Sequence, residues 1–377
     1  MRYTFFIIVF SLLQLFSLGA AYSLAWWLQP WTSELPAAKL MVFAVIFIIT
    51  NGLLLLSVSK VLANAYRWIS GWMLVMHYLI LSALLGALLY GGYWLFMTVT
   101  AIALQDENLL IYALRLITLL AFIGVFIHSL YSAYSPIVRR LNITIDKPFA
   151  QPISVMVASD LHIGRLFGNK AIARLQRLID NNRPDMLLMP GDIMDDNVKA
   201  FTHYNMADNL AKLCASLPFG VYATLGNHDL YGHELPISES LRSAGVQLLN
   251  DDVVRLNYNE QPIWLVGRFD NHKRARVATT ELLAQVNTNE PVVLLDHRPS
   301  DIMAHSQLPI DLQVSGHTHN GQIFPVNFIV SAINRIGYGY EAIDNSHFVV
   351  SSGYGFWGIP FRLGSRSEVW LITLSGQ

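Results

Sequence analysis

The sequence predicts an N-terminal segment of about four transmembrane helices followed by an α/β domain in which β-sheets are flanked by helices. Three observations carry that prediction. Charge is divided unevenly: residues 1–140 hold seven Lys or Arg and three Asp or Glu, against eighteen and twenty-three in residues 141–377. The first part contains four long runs without a charged side chain. The second alternates short apolar runs with amphipathic stretches, the pattern of layered α/β domains. The whole chain is 53% hydrophobic and 14% charged, with a mean hydropathy of +0.40. Soluble domains carry about 25% charged residues, so a single soluble enzyme, a disordered chain and a disulfide scaffold are excluded. The acidic excess of residues 141–377 also argues against a nucleic-acid partner. Cys214 is the only cysteine and reads as a packing residue.

The uncharged runs are 3–33, 40–59, 68–105 and 116–138, each reaching the roughly 20 residues that a helix needs to cross hydrocarbon. Gly91 and Gly92 interrupt the third, but too few residues follow for a separate crossing, so one extended helix is expected. With the N-terminus inside, the inner flanks carry Arg2, Lys60, Arg67, Arg139 and Arg140. The outer loops carry only Lys39 and Arg115, with Glu34, Asp106 and Glu107. The positive-inside rule then puts both termini in the cytoplasm. Trp26, Trp27, Trp31, Trp68 and Trp72 fall near the expected span ends, as an aromatic belt requires. His77 and His128 lie inside spans and read as polar residues satisfied by a neighbouring helix. Without paired carboxylates or a basic array, residues 1–140 read as an anchor and 141–377 as a separate α/β domain.

After a connector containing Pro136 and Pro148, apolar runs occur at Ile153–Val157, Met186–Met189, Val221–Leu225, Ile263–Val266, Val292–Leu295 and Leu312–Val314. Two more follow at Phe348–Val350 and Val369–Leu374. Continuous apolar strands of this length suit sheets covered on both faces, with helices expected over stretches such as Lys170–Asp180 and Asn205–Ser216. The residues just past the strands carry the chemistry. SDLHIGR supplies Asp160 and His162; PGDIMDD supplies Asp192; LGNHD supplies Asn227, His228 and Asp229; LLDHRP supplies His297; SGHTHNGQ supplies His317 and His319. Strand carboxyl ends form the ligand crevice in such folds. A set of oxygen and imidazole donors without thiolates suits divalent Mn, Fe or Zn, and two such ions are a recurring device for displacement at phosphorus. Gly191, Gly226 and Gly316 are expected to permit sharp turns where the chain leaves a strand.

From about residue 150 onward these blocks, D-x-H, G-D, G-N-H-D, H and G-H-x-H in order, resemble the calcineurin-like metallophosphoesterase superfamily. The GHTHNGQ block and the glycine-rich tail resemble its bacterial membrane-associated branch, although Asn320 stands where that branch commonly has glycine. The resemblance implies a four-layer α/β fold, two divalent ions, and a location in the bacterial inner membrane. It also implies that Asp160, His162 and His319 hold one ion, that Asn227, His297 and His317 hold the other, and that Asp192 bridges them. His228 would stabilise or protonate the leaving group without binding metal, and Asp229 would orient it.

The expected activity is therefore a membrane-anchored phosphohydrolase cleaving a phosphodiester, pyrophosphate or phosphomonoester with metal-activated water, on a phosphorylated small molecule or a lipid-linked substrate. The alternative from another class is a non-catalytic membrane receptor or scaffold that retains a metal-binding domain; a lost ligand or a lost His228 would mark it, and none is lost. For Asp195, Asp196 and Asp296, helix capping or a solvated loop is as good a reading as support for the metal ligands, and they stay outside the site. The basic stretch Arg268–Arg276 reads as solvated surface, with recognition of phosphate or anionic headgroups as its functional alternative.

Overall fold

The computed structural model describes residues 2–33, 35, 37–59, 65–100, 107–149, 151–195, 197–231, 233–273 and 275–376. Glu34, Lys60, Asp106, Asp196 and Arg274, used in the sequence reading, lie outside them, as do the side chains of Arg2 and Glu107. The chain divides into two compact units, Met1–His128 and Ser129–Gln377.

The first unit is built from α1 (Arg2–Thr32), α2 (Ala38–Ser59), α3 (Ala65–Thr100) and most of α4 (Glu107–Tyr134). All four are long and apolar enough to cross a membrane. Helix α3 runs unbroken through Gly91 and Gly92, as the short remainder beyond them required. Polar side chains inside the unit find each other across helices, as they must where no water can satisfy them. Ser17 Oγ donates to Thr50 Oγ1 (3.1 Å), Trp72 Nε1 to the same oxygen (2.8 Å), and Trp27 Nε1 to Thr118 Oγ1 (2.8 Å). The ring of His77 stacks on Phe16 with centroids 6.0 Å apart.

In chain order the second unit continues with β1 (Ile137–Ile145), β2 (Ile153–Val157), α5 (Asn169–Asn182), β3 (Met186–Pro190), α6 (Lys199–His203), α7 (Met206–Ala215), β4 (Val221–Thr224), α8 (Asn227–Leu230), α9 (Glu234–Ser243) and β5 (Val246–Leu248). Then come β6 (Asp252–Tyr258), β7 (Gln261–Arg268), α10 (Thr279–Leu283), β8 (Val292–Asp296), α11 (Ile302–His305), β9 (Leu312–Ser315), α12 (Val326–Ile333), β10 (Gly339–Ile343), β11 (Ser346–Val350) and β12 (Glu368–Gly376). One six-stranded sheet has the order β1-β12-β2-β3-β4-β5, the other β10-β11-β9-β8-β7-β6. Strands β2 to β5 are mutually parallel, as are β7, β8, β9 and β11.

Side-chain alternation along the strands builds four layers. In β2, Ile153, Val155 and Val157 face a core shared with Val293, Leu295 and Val314 of the other sheet, while Met156 faces the helices with Ile172, Leu175, Leu210 and Leu241. On the far side of the second sheet, Val292 and Leu294 pack with Leu282 and Leu283 of α10. Both faces of both sheets are covered, which is why the strands read as continuous apolar runs. The connector after Pro136 differs from expectation: it contains β1, which pairs in parallel with β12 from Ile137↔Glu368 to Ile145↔Gly376. Its sequence IVRRLNITI is too polar to stand out, because this strand lies at the sheet edge.

Candidate metal centre

The parallel strands β2, β3, β4, β8 and β9 deliver their carboxyl ends to one rim, and the donor residues sit within five residues of those ends. Asp160, His162, Asp192, Asn227 and His297 are all buried. Their donor atoms fall into overlapping triads whose members lie within 4.8 Å of one another: Asp160–His162–His319, His162–Asp192–His228 and Asp192–His297–His317. Nε2 of His162 and Nε2 of His319 are 3.1 Å apart. Asp192 Oδ2 stands 3.3 Å from His297 Nε2 and 3.8 Å from His162 Nε2, between two triads. Asn227 lies in the chain between Gly226, which abuts the Asp192 side chain, and His228, whose backbone N–H donates to Asp192 Oδ1 (2.8 Å).

The backbone at the rim is strained. Asp160, His162, Asp192, His317 and His319 have φ of 51°, 45°, 51°, 69° and 49°, a region that non-glycine residues seldom occupy and that clusters at functional sites. Two glycines have a different reason than turn geometry. A Cβ on Gly226 would lie 2.2 Å from Asp192 Oδ1, and one on Gly316 would lie 1.8 Å from Ser159 Oγ and 2.1 Å from Asp160 Oδ2. They are glycine because the backbone passes against the carboxylates. Gly191, at φ 87°, does serve the turn.

Two buried donor atoms are suited to a cation. Asn227 Oδ1 and His297 Nε2 have no hydrogen-bond partner among the described residues, the latter being outside hydrogen-bond geometry to Asp192. Leaving such atoms buried and unsatisfied is costly. The Nδ1 of His297 lies 2.9 Å from the carbonyl of Pro190. A carbonyl can only accept, so Nδ1 carries the proton and the lone pair of the neutral ring sits on Nε2, the arrangement of a metal-binding histidine. The electrostatics agree. Burial pushes Asp160 up to about 6, against the pull of His297 and with Asp192 adding to the rise. Burial acts on Asp192 in the same sense, but His297 and His162 outweigh it and hold that carboxyl below the ordinary range. Burial would lower His297, yet Asp192 and Asp160 bring it up to about 10. His317 is pushed down to about 3 by burial and by His297. These groups cannot all take comfortable charge states alone; divalent cations would reconcile them, so the donor set fits the ions.

Around the donors stand residues that motif reading missed. Ser159 Oγ donates to Asp160 Oδ2. Arg362, fully buried, directs Nη2 at the carbonyls of Gly355 (2.6 Å) and Ser352 (2.7 Å) and lies 3.0 Å from His319 Nδ1. It stands in no motif, and its burial has no local signature. Tyr231 accepts from Asn227 Nδ2 (2.9 Å), and its ring packs on that of His228 at 4.9 Å. The ring of Trp357 lies 6.4 Å from that of His228. The carboxylate of Asp229 accepts from the backbone N–H groups of Met194 (2.9 Å), Ile193 (3.1 Å) and Gly226 (3.0 Å), clamping the β3 and β4 loops together.

Among the described basic residues of the stretch Arg268–Arg276, Arg268, Lys273 and Arg276 are held in ion pairs. Arg268 Nη1 meets Asp296 (2.9 Å), Arg276 Nη2 meets Asp301 (2.8 Å), and Lys273 meets Glu234 (2.7 Å). Asp296, Asp301 and His305 also form a tight acidic and imidazole group, but these arginines fill it. Asp296 is thus an internal ion-pair partner instead of a solvated loop residue.

The model of the calcineurin-like phosphoesterase family matches residues 153–321. A metallophosphoesterase of Aquifex aeolicus is 34% identical over 67% of this chain and 99% of its own length. One of Helicobacter pylori is 29% identical over 69% of this chain and 70% of its own length. A Danio rerio transmembrane protein with a metallophosphoesterase domain is 31% identical over 59% of this chain and 53% of its own length. With four apolar helices ahead of the rim of carboxylates and imidazoles, the chain is a membrane protein that belongs to the metallophosphoesterase family of metal-dependent phosphoesterases.

Proposed function

We propose that the chain is a membrane-anchored phosphohydrolase that uses two divalent ions, of the Mn, Fe or Zn type, to cleave a phosphodiester, pyrophosphate or phosphomonoester. The observation that carries this reading is the convergence of Asp160, His162, Asp192, His297, His317 and His319 from four strand ends into triads that share Asp192 and His162, with buried Asn227 beside them at a fifth. Residues 1–140 would be the anchor and 141–377 the catalytic domain. In the proposed assignment Asp160, His162 and His319 hold one ion, Asn227, His297 and His317 the other, and Asp192 serves both. Bound there, the ions would acidify water and neutralise phosphoryl charge.

His228 would serve as the proton donor to the leaving oxygen. Its buried ring lies near those of Tyr231 and Trp357, which are both exposed, with the ring of His162 4.8 Å away. The triad with His162 and Asp192 would also allow His228 to ligate, so its role separates by experiment. Asp229 would position His228 through the backbone of α8, by holding the N–H of Gly226 against the β3 loop. No nucleophilic Ser or Cys enters the reading, since Cys214 is buried on α7 and burial raises its thiol to about 12.

The charge asymmetry supports an orientation with the catalytic domain in the cytoplasm, and the bacterial relatives support placing it in a bacterial inner membrane. The test is a screen of the purified full chain with Mn, Fe, Zn or Mg against phosphomonoester, diester and lipid pyrophosphate substrates. Hydrolysis that appears with added metal and disappears with chelator supports the proposal. Absence of turnover on every class, in protein that binds metal, refutes it.

A further inference from the structure

Helix α12 begins five residues after the last turn of the site, and its sequence VNFIVSAI is apolar almost throughout. Only Val330 is buried; Val326, Phe328, Ile329 and Ile333 stand 42%, 63%, 57% and 74% exposed. Single exposed apolar residues are ordinary, but a contiguous patch marks an interaction surface. Trp357, 54% exposed, joins this region through Gln322, whose side chain accepts from Trp357 N (2.9 Å) and donates to Trp357 O (2.9 Å). Its ring is also the one that borders His228.

What covers the patch follows from the loop after Trp357. On one side it pairs with the approach to α12: Phe324 N donates to Leu363 O (2.7 Å) and Leu363 N to Gln322 O (2.9 Å). On the other it grips the last turn of α4. Arg362 N donates to Ser129 O (2.9 Å), Ser367 N to Ser132 O (3.0 Å) and Arg366 Nε to Ser135 O (3.1 Å), while the Arg366 guanidinium lies over the Tyr131 ring at 5.2 Å. That turn ends a helix long and apolar enough to cross a membrane, and the end of a spanning helix is where a membrane–water boundary falls. A cation stacked on tyrosine is the side-chain pair expected there. One short loop therefore bonds both to the residues that lead into α12 and to the end of α4.

We propose that α12 and Trp357 lie in the headgroup–acyl boundary of the bilayer, so that the mouth of the site beside His228 opens onto lipid and the substrate is a phosphorylated amphiphile whose apolar tail stays in the membrane. The substrate half of this inference rests on the phosphohydrolase reading; the placement of α12 does not.

The test uses the full chain in phosphatidylethanolamine–phosphatidylglycerol nanodiscs in a Cys214→Ala background. A fluorophore is attached through Phe328→Cys or Ile333→Cys, with Glu239→Cys on α9 as an exposed control. Phosphatidylcholine bearing a nitroxide high on its acyl chain should quench the first two at least about twofold and leave the control unchanged, since interfacial helices sit roughly 5–10 Å into this boundary. Quenching equal to the control overturns the placement. So does a blue-shifted label without nitroxide quenching, which means that protein, for instance a second copy, covers α12.

The substrate half is read by comparing hexadecyl and ethyl p-nitrophenyl phosphate, which share a leaving group and differ only in the tail. In nanodiscs kcat/KM for the hexadecyl ester should exceed that for the ethyl ester by at least about tenfold, through local concentration in lipid. Phe328→Ser with Ile333→Ser should erase most of that advantage while turnover of the ethyl ester persists, which also reports an intact fold. An advantage that survives the double substitution, or equal loss on both esters, overturns the substrate half. Failure of the unsubstituted protein on both esters counts against the phosphohydrolase reading, while the label depths still decide α12.

Discussion

Replacing Asp192 by Asn removes a charge and almost nothing else. Asp192 is 2% exposed; Oδ1 accepts from His228 N at 2.8 Å, and Oδ2 faces His297 and His162 at 3.3 and 3.8 Å. The amide oxygen of Asn can keep the bond from His228 N, so the fold should survive. Two unit charges about 4 Å apart interact by about 4 kcal/mol at an effective dielectric near 20, so a divalent ion doubles this to roughly 8 kcal/mol. Desolvation of a buried carboxylate offsets several kcal/mol. A net loss of about 4 kcal/mol corresponds to roughly a thousandfold weaker metal binding. Elemental analysis after dialysis should therefore find Asp192→Asn depleted of metal, and hydrolysis of a soluble diester should fall with it. The companion variant His228→Ala should keep metal while losing roughly 10²–10⁴-fold in rate, and less with good leaving groups, as expected for a lost proton donor. Full metal content and activity in Asp192→Asn would refute the shared-carboxylate role. Metal loss in His228→Ala would make His228 a ligand, as its triad with His162 and Asp192 allows.

Further outcomes follow from particular contacts. Gly226→Ala should cost about 1–3 kcal/mol by overpacking and displace the Asp192 carboxylate, read as a lower melting temperature with reduced metal content. His297, brought up to about 10 by Asp192 and Asp160 against its burial, is protonated at pH 7 without metal and must be neutral to ligate. Metal binding at pH 7 should then release about one proton from His297, and affinity should rise with pH; calorimetry in buffers of different ionisation enthalpy that detects no release contradicts this. Arg362→Lys should strand the carbonyls of Ser352 and Gly355 at a cost of about 3 kcal/mol, and a melting temperature within a degree of the unsubstituted protein would contradict it. A reporter fused after Gln377 should be active only if it folds in the cytoplasm; activity of a periplasm-only reporter would reverse the proposed orientation.

Much of this protein is legible in single stretches of sequence, because the physics there is local. Crossing a membrane needs only length and apolarity, so the four spans can be counted from residues 1–140. A strand buried on both faces must be apolar throughout, so β2, β3, β4 and β8 announce themselves, and the Asp, Asn and His just past them stand out by contrast. The edge strand β1 did not, because half its residues face away from the core and its partner β12 lies more than two hundred residues along the chain. The same holds for whatever depends on distant segments meeting. Only the packing of the two sheets brings His297 to the carbonyl of Pro190 and groups the donors into triads. Only the fold reveals that Gly226 and Gly316 make room for carboxylates, and that Arg268 and Arg276 are spent on Asp296 and Asp301. Arg362, in no motif, becomes part of the site solely because the chain after Trp357 turns back beneath His319. Residue type is written one position at a time, whereas close approach, charge pairing and burial belong to pairs of positions, and these pairs exist only once the chain has folded.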